Sequence, residues 1–388
     1  MAPCQVVRRS EDECVKKASP NDREGFRYFL MSSIRQKGLS QQAYRFFSEN
    51  FELSQKPARK IRDVMIVIGG WLHKKATNNI EWFDVEKNQW IRSSLQLPMK
   101  LAYHGAALVE EDLYIYGGSD GTLFRCETWK LNSKTLTWDQ CDLMFEARNF
   151  ITNSSVVFEN KIYVFGGQNG RDYAVNVRDH TRSRTGEFYD PKTDKWTKTA
   201  QMTDMRSDCA AAVYGNQIFI IGGFDGHNII PTVEVYNPRG DFFILIDSLP
   251  NPLSGHSVVL HNSQLFVIGG YDGRTRQDKI FVWSKRGEWK LHEKKLKEGR
   301  STSSACSYRD AIITVGGYSK YVDSECEVLF SNQSVGMPSL LRSKSACKVI
   351  IGKNWRSKLE AIGSVDIDEI VNIDSFGEEE FPMEAENS

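Results

Sequence analysis

The chain contains no apolar run approaching the roughly 18 to 20 residues that cross a bilayer. Its first residues, MAPCQVVRRSEDECVKK, carry charges where a secretory leader needs an apolar stretch, so no leader is expected. An excess of either charge is also missing: over 388 residues, 50 Lys and Arg balance 50 Asp and Glu, which argues against a globally basic nucleic-acid binder. None of the eight cysteines, Cys4, Cys14, Cys126, Cys141, Cys209, Cys306, Cys326 and Cys347, stands in a C-x-x-C pair or at zinc spacing with a histidine. Neither a metal nor a cofactor is therefore expected, and reduced thiols in a cytoplasmic protein are the simplest reading. No P-loop or dinucleotide fingerprint is present and no paired acid and base stands out, so no catalytic residue is assigned.

The neutral total is a sum of unlike parts. Residues 1 to 62 hold 13 basic and 7 acidic side chains, while residues 359 to 388 hold 10 acidic and none basic. The composition, 40% hydrophobic and 26% charged, is that of a globular chain.

Internal repetition organises the middle. A Gly-Gly pair after an apolar run occurs at Gly69-Gly70, Gly117-Gly118, Gly166-Gly167, Gly222-Gly223, Gly269-Gly270 and Gly316-Gly317, at steps of 48, 49, 56, 47 and 47 residues. Segments such as HGAALVEEDLYIYGG and CAAAVYGNQIFIIGG align without gaps, each reading as a small-residue strand, a polar turn and a second apolar strand. A Glu-x-aromatic step follows at Glu81/Phe83, Glu127/Trp129, Glu187/Tyr189 and Glu234/Tyr236, with Phe281 and Phe330 as looser equivalents. A further aromatic recurs at Trp90, Trp138, Trp196, Phe243 and Trp289, and the one long step places an insertion within Asp172 to Arg184. Four short strands fill each repeat, and strands this short protect their edges by packing as radial blades.

The double glycines and spaced Tyr and Trp residues resemble the kelch repeat, over residues 63 to 352. The resemblance implies an all-β fold, a six-bladed β-propeller. The first repeat lacks its inner strand, and Ser345 to Ile351 repeats the missing pattern, so the C-terminal strand is expected to close the ring. Residues 1 to 62 read as a short α-helical lead-in, with Phe26, Phe29, Leu30 and Ile34 on one helical face, and LSQQAYRFFSENFELSQ is similar to a helix of the BACK domain. Too few residues precede the propeller for a BTB module, which is expected to be missing or truncated. Residues 353 to 388 read as an acidic, disordered tail.

The loops after the glycines and the links from each fourth strand to the next first strand share one face. The partner-binding residues expected there are Arg148, Arg206, Asp225, His227, Asp272, Arg274, Arg300 and Arg342, suited to an acidic or phosphorylated protein segment. Asp-Gly in such loops is also favoured simply as a turn. Arg178, Arg182 and Arg184 of the insertion form either a basic contact loop or a solvated one. His104 and His256 share one register and are expected to face inward, hydrogen-bonded to backbone or water rather than caging a ligand.

By resemblance the chain is similar to the substrate-recognition half of BTB-kelch adaptors of cullin-RING ubiquitin ligases. An actin-binding scaffold is the alternative. A propeller enzyme is the third class, but copper would need convergent His and Tyr ligands, and His104 and His256 belong to separated repeats. No nucleic-acid or membrane partner is expected. If the last strand closes the ring, deleting the residues after Ser343 should destabilise the whole propeller, seen as loss of a cooperative thermal transition; an unchanged melt would refute the closure.

Overall fold

The structure is a computed structural model that describes residues 62–72, 75–169, 181–284, 287–330 and 337–365. The chain divides into two units, residues 1–60 and 61–388, and the expected helical lead-in lies outside the described residues. Among the described residues no helix is long and apolar enough to cross a membrane.

Six antiparallel sheets form six blades, five of them with strands A-B-C-D ordered from the inside outward. In blade four these strands are Ala210–Tyr214, Gln217–Ile221, Val233–Asn237 and Phe242–Ile246. Blade six has three strands among the described residues. Blade one takes its A strand, Lys348–Gly352, from the far end of the repeat array; it pairs with Val64–Ile68, matching Val64 to Gly352 and Ile68 to Lys348. The ring is therefore closed by the C-terminal strand.

A double glycine ends each B strand because the backbone must turn left-handed against a neighbouring chain. Gly222 and Gly223 have φ of 57° and 112°, and a Cβ on them would lie 2.5 Å from the Leu253 carbonyl and 2.6 Å from that of Ser207. Alternating side chains of the B and C strands fill the wedges, giving one buried apolar cluster at each of the six interfaces. The fourth-strand tryptophans stitch each interface. The indole N–H groups of Trp90, Trp138, Trp196 and Trp289 donate to Pro338 O, Gln96 O, Thr128 Oγ1 and Asp247 O, always in the preceding blade, at 2.9–3.0 Å.

The crossovers between blades carry a second repeated device. The first N–H after each leading glycine donates to the carbonyl of Leu101, Arg148, Arg206, Leu253, Arg300 or Lys344, one residue per crossover. At four of these positions a cation reaches forward into the next blade. The Arg148 guanidinium meets Glu187 at 2.7 Å and the Gly166 carbonyl at 2.6 Å. Arg206 meets Glu234 at 2.7 Å and Gly222 O at 2.8 Å. Arg300 meets Glu325 at 2.8 Å with Glu327 at 3.9 Å, and Lys344 pairs with Glu81. All four cations are fully buried. The same glutamates also accept the N–H three residues before the cation, at Phe145, Thr203, Lys297 and Leu341, which clamps the crossover at both ends.

Blades two and five are built differently. Their crossover positions are Leu101 and Leu253, and the strand-C positions facing Val67's and Ile220's counterparts, Ile115 and Val267, are Trp129 and Phe281 rather than glutamate. Register thus corrects the Glu-x-aromatic alignment: Trp129, not Glu127, is the counterpart of Glu81, Glu187 and Glu234, and Glu127 instead receives Arg125 at 3.3 Å. Charged partners occur together or are replaced together, as burial of an unpaired charge would require.

Residues just past the last strand also depart from expectation. Instead of belonging to a disordered tail, Arg356–Ile362 form a helix, α1, preceded by Trp355, which is fully buried and donates to Glu111 O at 3.1 Å. Arg356 pairs with Asp84 at 3.1 Å and Glu86 at 3.0 Å, fastening α1 beneath blades one and two. Residues 366–388 lie outside the described residues.

Removing one member of a buried ion pair costs about 3–5 kcal/mol. Arg206→Leu should lose an amount of this order in denaturant unfolding, and Arg206→Leu with Glu234→Phe, which copies the Leu253/Phe281 arrangement, should recover part of it. A double variant no more stable than the single one would show that the pair does not act as a unit.

Candidate functional site

The B-C loops and crossovers lie on one face of the ring. At its centre six crossover residues, Tyr103, Phe150, Asp208, Gly255, Thr302 and Ala346, all adopt positive φ between 51° and 59°. Five of the six are not glycine, so the conformation is imposed by their surroundings. A circuit of backbone hydrogen bonds imposes it: Tyr103 N to Ala346 O, Ile151 N to Tyr103 O, Asp208 N to Phe150 O, Gly255 N to Asp208 O, Thr302 N to Gly255 O and Ala346 N to Thr302 O, at 2.7–3.2 Å. This circuit ties every blade to the next and frames a cavity of about 20 Å³ at the channel mouth.

Around the mouth the aromatic residues gather. Tyr103 packs on Phe150 with ring centroids 4.4 Å apart, and Trp71 stands 6.4 Å from Tyr103. Farther out, Phe224, Tyr271 and Tyr318 each follow a second glycine and pair with a crossover serine, Ser207, Ser254 or Ser301. Arg182 lies over Phe224 at 5.0 Å, and Arg276 lies between Tyr271 and Tyr318 at 5.5 and 4.2 Å. Arg184, His227, Arg274 and Lys320 are exposed on the same arc, and Tyr321 is 80% exposed. Its apolar ring therefore remains available on the surface.

The residues expected to bind a partner divide into four groups. Arg148, Arg206 and Arg300 are fully buried in the ion pairs described above, so they hold blades together and do not present themselves on the face. The physical reason is reach: each arginine sits on the crossover but projects forward, beneath the loops, to the strand-C carboxylate. Arg342 is half-buried and two residues short of the equivalent position, which Lys344 occupies. Asp225 and Asp272 shape their loops, since one oxygen of Asp225 accepts the N–H groups of His227 and Asn228 at 2.6 Å, and one of Asp272 accepts those of Arg274 and Thr275 at 2.8 Å. His227 and Arg274 are exposed on the face as expected. Spacing missed the aromatic and arginine stacks, although the residue after four of the six double glycines, Trp71, Phe224, Tyr271 or Tyr318, carried the signal. Residues 170–180, which include most of the expected insertion, lie outside the described residues.

Two family models match the chain: the KLHDC2/KLHL20/DRC7 Kelch-repeats domain over residues 57–241 and the Kelch motif over residues 252–291. The chain belongs to the kelch-repeat proteins. Among curated proteins, it is 55% identical to spermatocyte protein spe-26 of Caenorhabditis elegans over 212 residues, 55% of this chain and 36% of that protein. It is 32% identical to the Kelch repeat and BTB domain-containing protein F47D12.7 of Caenorhabditis elegans over 209 residues, 51% of this chain and 34% of that protein. With Kelch-like protein 36 of Rattus norvegicus it shares 25% identity over 166 residues, 42% and 26% of the two chains. The chain spans about a third of the length of these curated relatives, or less. A solved structure, that of YjhT, superposes with a TM-score of 0.57 at 15% identity, over 74% of this chain and 96% of the other, showing the same fold.

In this kelch ring His104 and His256 occupy the two crossovers that lack a buried cation. Their Cε1 atoms sit 2.7 and 2.9 Å from where a Cβ would project at Gly69 and Gly222. They stand in blades two and five, and among the described residues no group of three His, Cys, Asp or Glu could hold a metal. Neither ring nitrogen of His104 has a hydrogen-bond partner within the protein. Burial, with Lys348 nearby, pulls its pKa down to about 3, and burial pulls that of His256 down to about 4. Both rings are therefore neutral in the fold and free to protonate when unfolded near pH 6.5. Their contribution to stability is complete above pH 6.5 and declines as the pH falls toward 4, by up to about 1.4 kcal/mol per pH unit for each ring. Replacing both by cysteine, which stands at the same place in blades one and four, should flatten the unfolding free energy between pH 6.5 and 4. An identical slope in the variant would exclude this role.

Proposed function

We propose that this kelch propeller binds a protein segment carrying acidic or phosphorylated residues across the loops of blades three to six. We further propose that it does so as the substrate-reading part of an adaptor for a cullin-RING ubiquitin ligase. The observation that supports the first reading is the arc of Arg182, Arg184, His227, Arg274, Arg276 and Lys320, interleaved with Phe224, Tyr271, Tyr318 and Tyr321. Cations on a rigid scaffold meet carboxylate or phosphate oxygens, while the adjoining rings supply desolvated contact area. The ligase reading draws on the resemblance to BTB-kelch adaptors and on a relative named for both a kelch repeat and a BTB domain. In this role the propeller needs no catalytic residue, because ubiquitin transfer takes place on other subunits.

Charge reversal separates the face from the buried pairs. The variant Arg184→Glu, Arg274→Glu, Lys320→Glu should weaken capture of bound proteins from cytosol at least about tenfold with an unchanged thermal melt. Undiminished capture would overturn the acidic-segment reading. Cullin among the captured proteins would support the ligase role. Cosedimentation with actin filaments in place of cullin recovery would favour a scaffold.

A further inference from the structure

The outer strand of blade four, Phe242–Ile246, reads FFILI, and among the described residues no strand pairs with its outer edge. Elsewhere the residues around the matching strand-D aromatic are polar or charged. Gln89 and Arg92 flank Trp90 in blade one, Asp139 and Gln140 follow Trp138 in blade two, Lys195 and Lys198 flank Trp196 in blade three, and Lys290 follows Trp289 in blade five. In blade four Phe243 holds the strand in place, its ring packed 4.7 Å from that of Tyr236 and 6.0 Å from that of Phe165. Three of its neighbours are uncovered: Phe242, Ile244 and Leu245 are 46%, 43% and 55% exposed, with Ile244 and Leu245 on opposite faces of the sheet. Soluble β proteins avoid an apolar edge without charges unless something pairs with it.

Blade one shows that an outer edge of this ring accepts a strand. There Ser94 N donates to Gly363 O and Val365 N to Arg92 O, both at 3.1 Å, with Ser364 opposite Ser93 in antiparallel register. Arg92 faces Glu81 on strand C as Leu245 faces Glu234, so the N–H and carbonyl of Leu245 point outward in the same way.

We infer that two copies of this chain associate through this strand, paired antiparallel about a two-fold axis. Such a contact needs only one self-complementary strand, and because blade four alone carries it the association closes at two. Charge selects the register. With Ile244 opposite its own copy, Asp241 would face Asp247 at both ends. A two-residue slip, which keeps every side chain on its face, puts Phe243 opposite its own copy and brings Arg239, in the turn before the strand, against Asp247 of the second copy. Both groups are available: the Arg239 side chain is 74% exposed and meets only Glu159, at 3.6 Å, while Asp247 is exposed and makes no ion pair among the described residues. Antiparallel pairing turns the two loop-bearing faces in opposite directions, so each copy can hold its own bound segment. A strand pair of this length lies at the small end of specific interfaces, which places half-association on the order of 10 µM.

Sedimentation equilibrium of the full chain between about 1 and 200 µM should show monomer and dimer and no larger species. Ile244→Lys with Leu245→Lys copies Lys290 and Lys198 at the same positions, and should leave the thermal melt unchanged and the chain monomeric. Arg239→Glu and Asp247→Arg should each weaken the dimer roughly threefold to tenfold, and the two together should restore it. A natural chain that stays monomeric throughout overturns the inference, as does a dimer that persists in the lysine variant. A dimer indifferent to both charge variants overturns the register on which the inference rests. Hydrogen exchange on the natural chain gives a reading independent of variant folding. The Leu245 amide should exchange more slowly as concentration rises. Slow exchange at every concentration would mean that a segment of the same chain covers the edge, and fast exchange at every concentration that nothing does; either overturns the dimer.

Discussion

A guanidinium taken out of water must meet a carboxylate and fill its remaining N–H groups with carbonyl oxygens, or the fold loses more than the packing gains. At three crossovers of this propeller an arginine meets a carboxylate and carbonyl oxygens of the next blade, leaving only Nε of Arg206 and Arg300 without a partner in the protein, and at the closing crossover a lysine meets a carboxylate. Arg148, Arg206, Arg300 and Lys344 each offer a backbone carbonyl to the blade behind and a side-chain cation to the blade ahead. Each therefore fixes both the spacing and the angle between neighbours. At Leu101 and Leu253 the same place is filled by apolar contact, with Trp129 or Phe281 where a glutamate would stand. The ring thus has two kinds of junction, and the apolar ones lie opposite each other in blades two and five, each with a neutral histidine beside it.

These junctions determine what the binding face can be. Because the crossover arginines project forward beneath the loops, they support the face and do not form it. Directly above them the left-handed residues of the hydrogen-bonded circuit hold Tyr103 and Phe150 at the channel mouth. Loop arginines that would otherwise extend into solvent lie over aromatic rings, as Arg276 does over Tyr318. The face is consequently preorganised, which lowers the entropic cost of binding an extended segment. Within the loops the aspartates act on the backbone: Asp225 and Asp272 set the turns that present His227 and Arg274.

Much of the fold was legible from residue order. The double glycines gave the blade count, because two consecutive left-handed residues against a carbonyl tolerate no side chain. The unmatched strand at the C-terminal end gave the closure, because an open first blade would leave an unpaired edge. The candidate site was less legible. Arginines at regular spacing in loops look alike whether they point outward or under the neighbouring blade, and only the strand-C register shows that Glu187 and Glu234 wait for Arg148 and Arg206. Glu127 misled because the Glu-x-aromatic motif recurs two residues early there: Glu81 and Glu234 lie 11 residues after the second glycine, as Trp129 does, whereas Glu127 lies 9 after it.

By itself the sequence determined a six-bladed closed ring with a loop-bearing face, since periodicity and glycine placement are properties of the chain. Which cations are buried and which are exposed was decided by tertiary structure alone. That choice depends on whether a carboxylate from another strand arrives within about 3 Å, and no local pattern encodes such an arrival. The same holds for Lys348, an ordinary lysine in the sequence that reaches the Thr152 carbonyl only once the last strand is placed against the first.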